Sequence, residues 1–399
     1  MKIFNLFKNY SFFNSRNFIP YGKQNINNSD VKAIVKVLRS DYLTQGPLVE
    51  DFEYEISKKV NSDYSIAVNS ATSALHIACL SLGLKKGDYL WTSSITFVAS
   101  ANCGLYCGAK VDFVDIDPNS ALISIKLLKE KLEKAKLEKK LPKIIIPVHL
   151  AGSSCDMKEI FNLSKIYGFS IIEDASHAIG GSYENEPIGS CRYSDITIFS
   201  FHPVKIITTA EGGVAVTNNR ELAQKMSDLR SHCIIRDAVR FLEKTTPLWR
   251  YEMQDLGFNY RMNEIQAALG LSQLKRLDNI VASRNLIYKK YKKLLCNVPL
   301  KLIDIPNNVY SSIHLVIVKL DNIDKYEYIF NEMRSKGIGV QLHYWPVHLQ
   351  PYYKNLGFKK GDFRYSEDYA KRSFSLPVYP ELTNSNINRI CQELIKLIN

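Results

Sequence analysis

The sequence predicts an α/β fold in which a large, mostly parallel sheet is covered on both faces by helices and a smaller α/β domain follows at the C-terminus. Three observations carry this expectation. Short apolar runs alternate with helix-length segments from residue 64 through residue 180, the pattern of strands buried on both faces by crossover helices. Polar residues with reactive side chains stand just beyond those runs, where open α/β sheets bind ligands. The rhythm of helix and strand then restarts after Ile280. A chain of 399 residues, 46% hydrophobic and 23% charged, can bury a large core in two lobes. The expected division is an N-terminal extension at 1–18, a large domain at 19–280 and a small domain at 281–399.

Taken in order, Val31, Ile34, Val35 and Leu38 form an apolar stripe that predicts an amphipathic helix ending near Arg39, with Ser29 or Asp30 as its cap. A polar turn, DYLTQGP, follows. Residues 64–84 read as a short strand, a turn of small residues and a helix. Small side chains at Ser70, Ala71, Thr72 and Ser73 permit close backbone approach, and the N–H groups and dipole of the new helix attract an anion. Residues 89–116 read strand, helix, strand, with Phe97 after the first strand, and Ile144 to Val148 is another buried strand before the turn HLAG. FSIIEDASHAIG, at 169–180, begins as a buried strand and leads into Glu173, Asp174 and His177. The segment 230–250 has no clear period and reads as an excursion near the site or a subunit boundary, or as a plain loop. Asn259 to Asn263 then lead into a helix apolar around most of its circumference, at Ile265, Ala268, Leu269, Leu271 and Leu274. Beyond Ile280 come a helix to Leu295, a strand at 313–320, a helix at 326–336 and a closing helix at 387–398.

Composition excludes several function classes. No apolar run approaches the ~20 residues of a membrane span. The opening eighteen residues carry no small-residue cleavage site, so they read as a loosely docked or disordered extension rather than a signal peptide. Eight cysteines without paired short spacings predict a reducing cytoplasm, and Cys103 and Cys107, one helical turn apart, predict packing rather than a metal site. The formal charge is +12, and many of the lysines sit in one helical tract at 126–143, where Glu and Lys alternate as a solvated face. No nucleic-acid, membrane or metal partner is expected. Neither GxGxxG nor GxxxxGK[ST] occurs, which removes the nicotinamide and Walker fingerprints.

The chemistry centres on residues 194–216, SDITIFSFHPVKIITTAEGGVAV. Lys205, flanked by Pro203, Val204, Ile206 and Ile207, reads as an enclosed lysine. Burial disfavours its ammonium form and frees a neutral amine that can condense with an aldehyde. Asp174, at the end of a strand, is suited to hold a protonated ring nitrogen. As isolated features, Lys205 could cap a strand, Phe97 could be core, and the small-residue turn could be an ordinary helix cap.

The order EDASHAIG then SFHPVKIITTAEGG resembles the fold-type I pyridoxal 5′-phosphate (PLP) enzymes and, within them, the DegT-type sugar aminotransferases, over about residue 21 to the C-terminus. That resemblance implies a fold-type I transferase with Lys205 as the cofactor-bearing lysine, Asp174 at the pyridinium nitrogen and Ser200, Ala71 and Thr72 at the phosphate. It further implies Phe97 stacked on the ring and Asn259 reaching the neighbouring subunit's site in a homodimer, the alternative for Asn259 being an N-cap network inside one chain; His177 could lie beside the cofactor or simply pack. The substrate pocket by the same resemblance is Tyr21, Asp41, Tyr42, Leu43 and Thr44, with His343, Tyr344, Trp345 and Pro346 supplying stacking and hydrogen bonds. The blocks IPYGKQNI, LTQG, NSATSALH, NYRMNEIQAALGLSQL and HYWPVH most resemble the subgroup of pseudaminic acid biosynthesis. A UDP-linked 4-keto-6-deoxy sugar and an amino-acid donor, glutamate, are the implied partners. Another nucleotide-linked keto sugar, gluco-configured or dTDP-linked, and a catalytically silent binding protein remain the alternatives. A 3-dehydratase on this scaffold has histidine at the position of Lys205.

Overall fold

A computed structural model describes residues 18–243 and 249–399. Apart from Phe18, the expected extension at 1–18 lies outside the described residues, as does 244–248 of the aperiodic segment.

The central sheet is built from β1 (Tyr64–Val68), β2 (Tyr89–Ser93), β3 (Lys110–Val114), β4 (Ile144–Ile146), β5 (Ser170–Asp174), β6 (Ile196–Ser200) and β7 (Gly213–Thr217). Their order across the sheet is β1-β7-β6-β5-β4-β2-β3. The pairs from β6 to β3 are parallel, while β7 pairs antiparallel with both β6 and β1. β7 therefore runs against its neighbours. Strands 144–146, 196–200 and 213–217 are buried at every position, as expected where helices cover both faces. Each fully buried Ile, Val or Leu contributes roughly 1.5–3 kcal/mol over leaving it exposed.

One face packs on α3 (Ala71–Ser81), α4 (Ala99–Tyr106) and α7 (Arg220–Leu229), with Leu75, Ile77 and Ala78 against Ile172, Ile196 and Ile198. The other packs on α5 (Ile125–Leu137) and α6 (Met157–Tyr167), with Leu128, Leu132 and Ile160 against Ile145 and Ile171. A second core gathers around the antiparallel strands Leu300–Leu302, Val316–Leu320 and Ser373–Leu376, under the helices Tyr326–Ser335 and Asn384–Ile398.

Two N-terminal helices differ from the sequence expectation. The helix α1 (Asn28–Leu38) is capped by Asn27, whose side chain accepts from the N–H groups of Ser29 and Asp30. The carboxylate of Asp30 completes a capping box by accepting from the Asn27 N–H, and it is also drawn into the interior, where Ser272, Gln273 and Arg276 donate to it. This anchor rotates the stripe outward: Val31 is 51% and Leu38 57% exposed, and Val37 is the buried member of the helix's apolar set. The helix α2 (Pro47–Val60) then lies against α8 (Glu264–Leu274), where Gly270 meets the ring of Phe52 so closely that a Cβ would sit 2.7 Å from it. α8 starts with a capping box between Asn263 and Gln266. α9 (Leu277–Leu294) follows, and its first turns pack with Phe52 and Phe199 while its later turns pack with the small sheet. Residue 280, the expected lobe division, lies within this helix.

Candidate active site

A cavity of about 650 Å³ opens at the carboxyl ends of β1, β5 and β6, lined among others by Ala71, Thr72, Phe97, Asp174, His177, Ser200 and Lys205. Grooves of about 700 and 730 Å³ lie elsewhere, against α2 and α8, without any such set of reactive groups.

Each wall is positioned by local structure. β1 ends at Val68, and Ser70 turns the chain into α3 in an extended conformation while its hydroxyl accepts from the N–H of Ser73. The N–H groups of Ala71 and Thr72, in the first turn, have no partner within the helix and stand at the positive end of its dipole. Gly213 explains how closely β7 approaches: a Cβ there would lie 2.4 Å from the nitrogen of Ala71. Gly212 is equally constrained, since its Cβ would meet the Thr209 hydroxyl at 2.1 Å.

Lys205 sits on the loop joining β6 to β7. Phe201 ties that loop at both ends, donating its N–H to the carbonyl of Gly212 and accepting from Thr209 N–H and the Thr208 hydroxyl. The lysine is enclosed by protein and open to the cavity. Burial pushes its ammonium down to about 8, against the opposing pull of the Asp174 carboxylate.

Asp174, buried at the end of β5, is held by a chain of donors. The Ser100 hydroxyl donates to Oδ2 at 2.6 Å and the Ser176 N–H to Oδ1 at 3.1 Å. Ser100 lies 2.7 Å from the Thr96 hydroxyl, and both are buried. With the Ser100 proton committed to the carboxylate, Thr96 donates to Ser100. Its neighbour Glu173 points the other way across the sheet and accepts from His149, Ser194 and Thr197.

Three histidines crowd the same wall. Burial, then the nearby Lys205 and His343, holds His177 well below the usual histidine range. Its Nδ1 accepts from the Ala151 N–H, so the proton of the neutral ring is on Nε2, 3.1 Å from the Tyr344 hydroxyl. His314 packs on His177 with ring centroids 4.3 Å apart, and its Nδ1 is buried without a hydrogen-bond partner. Burial, followed by Lys205, takes His343 down to about 3. Its Nδ1 meets the Ser375 hydroxyl at 2.8 Å.

Of the residues singled out from sequence, Tyr21, His343 and Tyr344 join the cavity lining. Tyr21 is carried there by pairing of Ile19 with Gly337 and Gly339 and by its own carbonyl accepting from Val378 N–H, which brings its ring within 5.1 Å of His343. Phe97 is 57% exposed at the rim. The single chain does not bring the remaining ones to the lysine. Asp41, Tyr42, Leu43 and Thr44 are exposed on the turn between α1 and α2, where the Leu43 carbonyl accepts from Glu264 N–H. Asn259 is exposed and bridged to Ser231. Trp345 faces outward and Pro346 is buried, both outside the lining. The one pocket mouth expected from these segments is thus formed, within one chain, by Tyr21, His343 and Tyr344. Sequence reading did not single out Ser100, Thr96, Ser176, His202, Glu211, His314 or Gln341, all in or against the cavity. Of these, His202 and Glu211 flank Lys205 closely enough in the chain that the lysine itself was the available signal.

Among the described residues no cluster of three or more His, Cys, Asp or Glu is placed to hold a metal ion, and no helix is long and apolar enough to cross a membrane.

The chain is similar to several known proteins. A UDP-4-amino-4,6-dideoxy-N-acetyl-β-L-altrosamine transaminase of Campylobacter jejuni is 37% identical over 385 residues, 95% of this chain and 97% of that protein. Among solved structures, Helicobacter pylori PseC, an aminotransferase involved in the biosynthesis of pseudaminic acid, superposes with a TM-score of 0.87 at 30% identity, covering 96% of this chain and 99% of its own. The sugar aminotransferase Spr1654 of Streptococcus pneumoniae, solved in its PMP form, gives a TM-score of 0.87 at 27% identity over 95% and 98% of the two chains. Residues 24–395 match the DegT/DnrJ/EryC1/StrS aminotransferase family, and the chain therefore belongs to that family of PLP-dependent sugar aminotransferases.

Proposed function

We propose that the protein transfers the amino group of an amino acid, glutamate, to C4 of a UDP-linked 4-keto-6-deoxy sugar, as a step in pseudaminic acid biosynthesis in the cytoplasm. The observation that carries this reading is the meeting of Lys205, Asp174 and the first turn of α3 in one cavity. Their chemistry fits PLP: a first turn crowded by Gly213 suits a phosphate, a buried carboxylate suits a basic ring nitrogen, and an amine brought down to about 8 suits an aldehyde. When bound, the cofactor supplies the aldehyde and an electron-withdrawing ring.

The chain's own residues do the rest. Ala71, Thr72 and Ser200 bind the phosphate. Asp174, aimed by Ser100 and Ser176, keeps the ring nitrogen protonated. Lys205 Nζ, a substantial part of it neutral near pH 8, takes a proton from the donor's Cα and returns one on the acceptor side. His177, kept neutral, adds no charge beside it. Tyr21, Phe97, His343 and Tyr344 form the rim that meets the sugar nucleotide.

Asp41 to Thr44, Asn259 and Trp345 belong to this reading through a second copy of the chain. Supporting that homodimer, Val31, Val35, Leu38, Tyr42 and Leu43 are exposed apolar side chains on one end of the chain, beside the 730 Å³ groove against α8. A dimer would cover them. The division of the chain into domains at 19–280 and 281–399 is part of the same proposal.

The test has two parts. Borohydride reduction of the PLP-loaded protein is expected to fix the cofactor on Lys205, and a label on another lysine overturns the assignment. With glutamate as donor, release of 2-oxoglutarate is then followed with UDP-4-keto-6-deoxy-N-acetylaltrosamine, its gluco epimer and a dTDP-4-keto-6-deoxy sugar. Preference for the altro compound supports the pathway, and preference for either competitor overturns it while leaving the aminotransferase intact.

A further inference from the structure

The hydroxyl of Tyr344 stands at the end of a hydrogen-bond chain whose direction is set by a backbone N–H. The chain starts at Ala151, in the turn that follows β4, where Ala151 (φ 60°) and Gly152 (φ 96°) are both left-handed. That turn is fastened by other bonds. The Ala151 carbonyl accepts from His314 N–H at 2.8 Å, the Gly152 carbonyl from Ser312 N–H at 3.2 Å, and the Ser312 hydroxyl donates to the His177 carbonyl at 2.8 Å. A Cβ on Gly152 would sit 2.7 Å from the Ser312 hydroxyl and 3.0 Å from the His177 carbonyl, so this approach needs glycine. The Ala151 nitrogen is thereby held 3.3 Å from His177 Nδ1.

We propose that Tyr344 receives the carbonyl oxygen of the keto sugar, as a hydrogen-bond donor aimed by His177 and Ala151; this rests on the keto-sugar acceptor proposed above. A backbone N–H cannot accept, so Nδ1 must, and the single proton of the neutral ring is on Nε2. Nε2–H then donates to Tyr344 Oη at 3.1 Å. Were Tyr344 to donate to Nε2 instead, the ring proton would be on Nδ1 and would face the Ala151 proton head-on. Among the described residues the Tyr344 hydroxyl has no other hydrogen-bond partner, so its own proton is left for the cavity that it lines.

The surroundings favour a neutral oxygen. The Tyr344 ring is half-buried, lies 27° from parallel with His177 at a centroid separation of 6.1 Å, and is 6.1 Å from Phe97 at the rim. It stands between His177, three residues after Asp174, and the mouth by which a sugar enters. Burial first, then the Asp174 carboxylate, pushes the phenol above its ordinary range, so it remains a donor. His177, His314 and His343 on the same wall are each kept neutral, by burial first. Among the described residues the lining has one ammonium, Lys205, and two carboxylates, Asp174 and Glu211. An amino-acid carboxylate gains most from a cationic donor, which this wall of neutral rings does not supply. A ketone oxygen needs a neutral donor in a fixed place, and gains more from it as charge develops on that oxygen.

Two measurements on the full-length protein test this. Nitrogen NMR of the wild type carrying isotope-labelled histidine should show the His177 ring neutral with its proton on Nε2. A proton on Nδ1 overturns the proposal without any variant or substrate. The two half-reactions are then separated in single turnovers followed by cofactor absorbance. PLP-loaded protein is mixed with glutamate, and PMP-loaded protein with whichever of the three keto sugars the wild type converts. Tyr344→Phe should slow the sugar half-reaction about tenfold or more beyond its effect on the amino-acid half-reaction. His177→Phe, which removes the donor behind the hydroxyl, should cost less in the Tyr344→Phe background than alone. Equal slowing of both half-reactions, greater slowing with glutamate, or full additivity of the pair overturns the proposal. A wild type that converts none of the three sugars removes the acceptor and this role with it. Preference for a sugar other than the altro compound overturns the pathway alone, because the Tyr344 comparison is made on any keto sugar accepted.

Discussion

In the cofactor-free protein Lys205 should titrate near pH 8, and its reactivity can be worked out from that value. At pH 7 about one part in ten of the amine is neutral, against on the order of one part in 3,000 for a lysine at 10.5, a roughly 300-fold enrichment. Trace acetylation across pH 6–11, read lysine by lysine by peptide mass, should give Lys205 a midpoint near 8. Asp174→Asn should lower that midpoint further, because the carboxylate opposes the effect of burial. The same displacement has a stability consequence with a definite sign. The folded-state value lies below the unfolded one, so the cost of the enclosed ammonium is fully present below about pH 8 and is relieved as pH rises through 10.5. At ~1.4 kcal/mol per unit its ceiling is about 3.5 kcal/mol, reduced by whatever water enters the cavity. Lys205→Met should therefore stabilise the cofactor-free protein against urea at pH 7, and the gain should vanish above pH 10.5. A Lys205 midpoint at 10 or higher, or an upward shift in Asp174→Asn, would refute the reasoning.

Three further outcomes are expected, two at the same wall and one at the subunit contact. Asp174→Asn in the loaded enzyme should lower kcat on the order of a hundredfold or more, measured by 2-oxoglutarate release. Ser100→Ala should lose about tenfold in kcat, and in the Asp174→Asn background it should cost almost nothing, since its hydroxyl works through that carboxylate; full additivity in the double mutant would assign Ser100 another role. Mixed dimers of Lys205→Ala and Asn259→Ala should regain part of the activity if Asn259 completes the partner's site, and confirmed heterodimers without recovery would exclude it.

What was legible in the sequence is local chemistry. Lys205 between apolar neighbours, Asp174 after a buried run and the small residues after β1 each carry their signal within a few positions, and the cavity gathers all of them. The strand-and-helix alternation likewise specified the buried strands, because burial on both faces requires unbroken apolar runs. What was not legible depends on partners far along the chain. Asp30 reads as a helix cap, which it is, and nothing local shows that Ser272 and Gln273 of α8 and Arg276 just beyond it also draw it inward. That contact turns Val31 and Leu38 to the outside, so the periodicity of α1 was real while its buried face was misassigned. Ser100 looks like any small residue in a helix, and only the fold brings it to Asp174. His314 reaches the cavity from just before the strand Val316–Leu320, with no local pattern to mark it.

The reversal of β7 has a consequence for how this scaffold can change. Parallel strands need a crossover, whereas the antiparallel step from β6 to β7 is closed by the loop 201–212 alone, laced at Phe201, Thr208, Thr209 and Gly212. None of those fastenings involves the side chain of Lys205. The amine can be exchanged without loosening the sheet, so descendants of such a chain can trade one chemistry for another, or lose it, by a single substitution while the architecture is inherited intact.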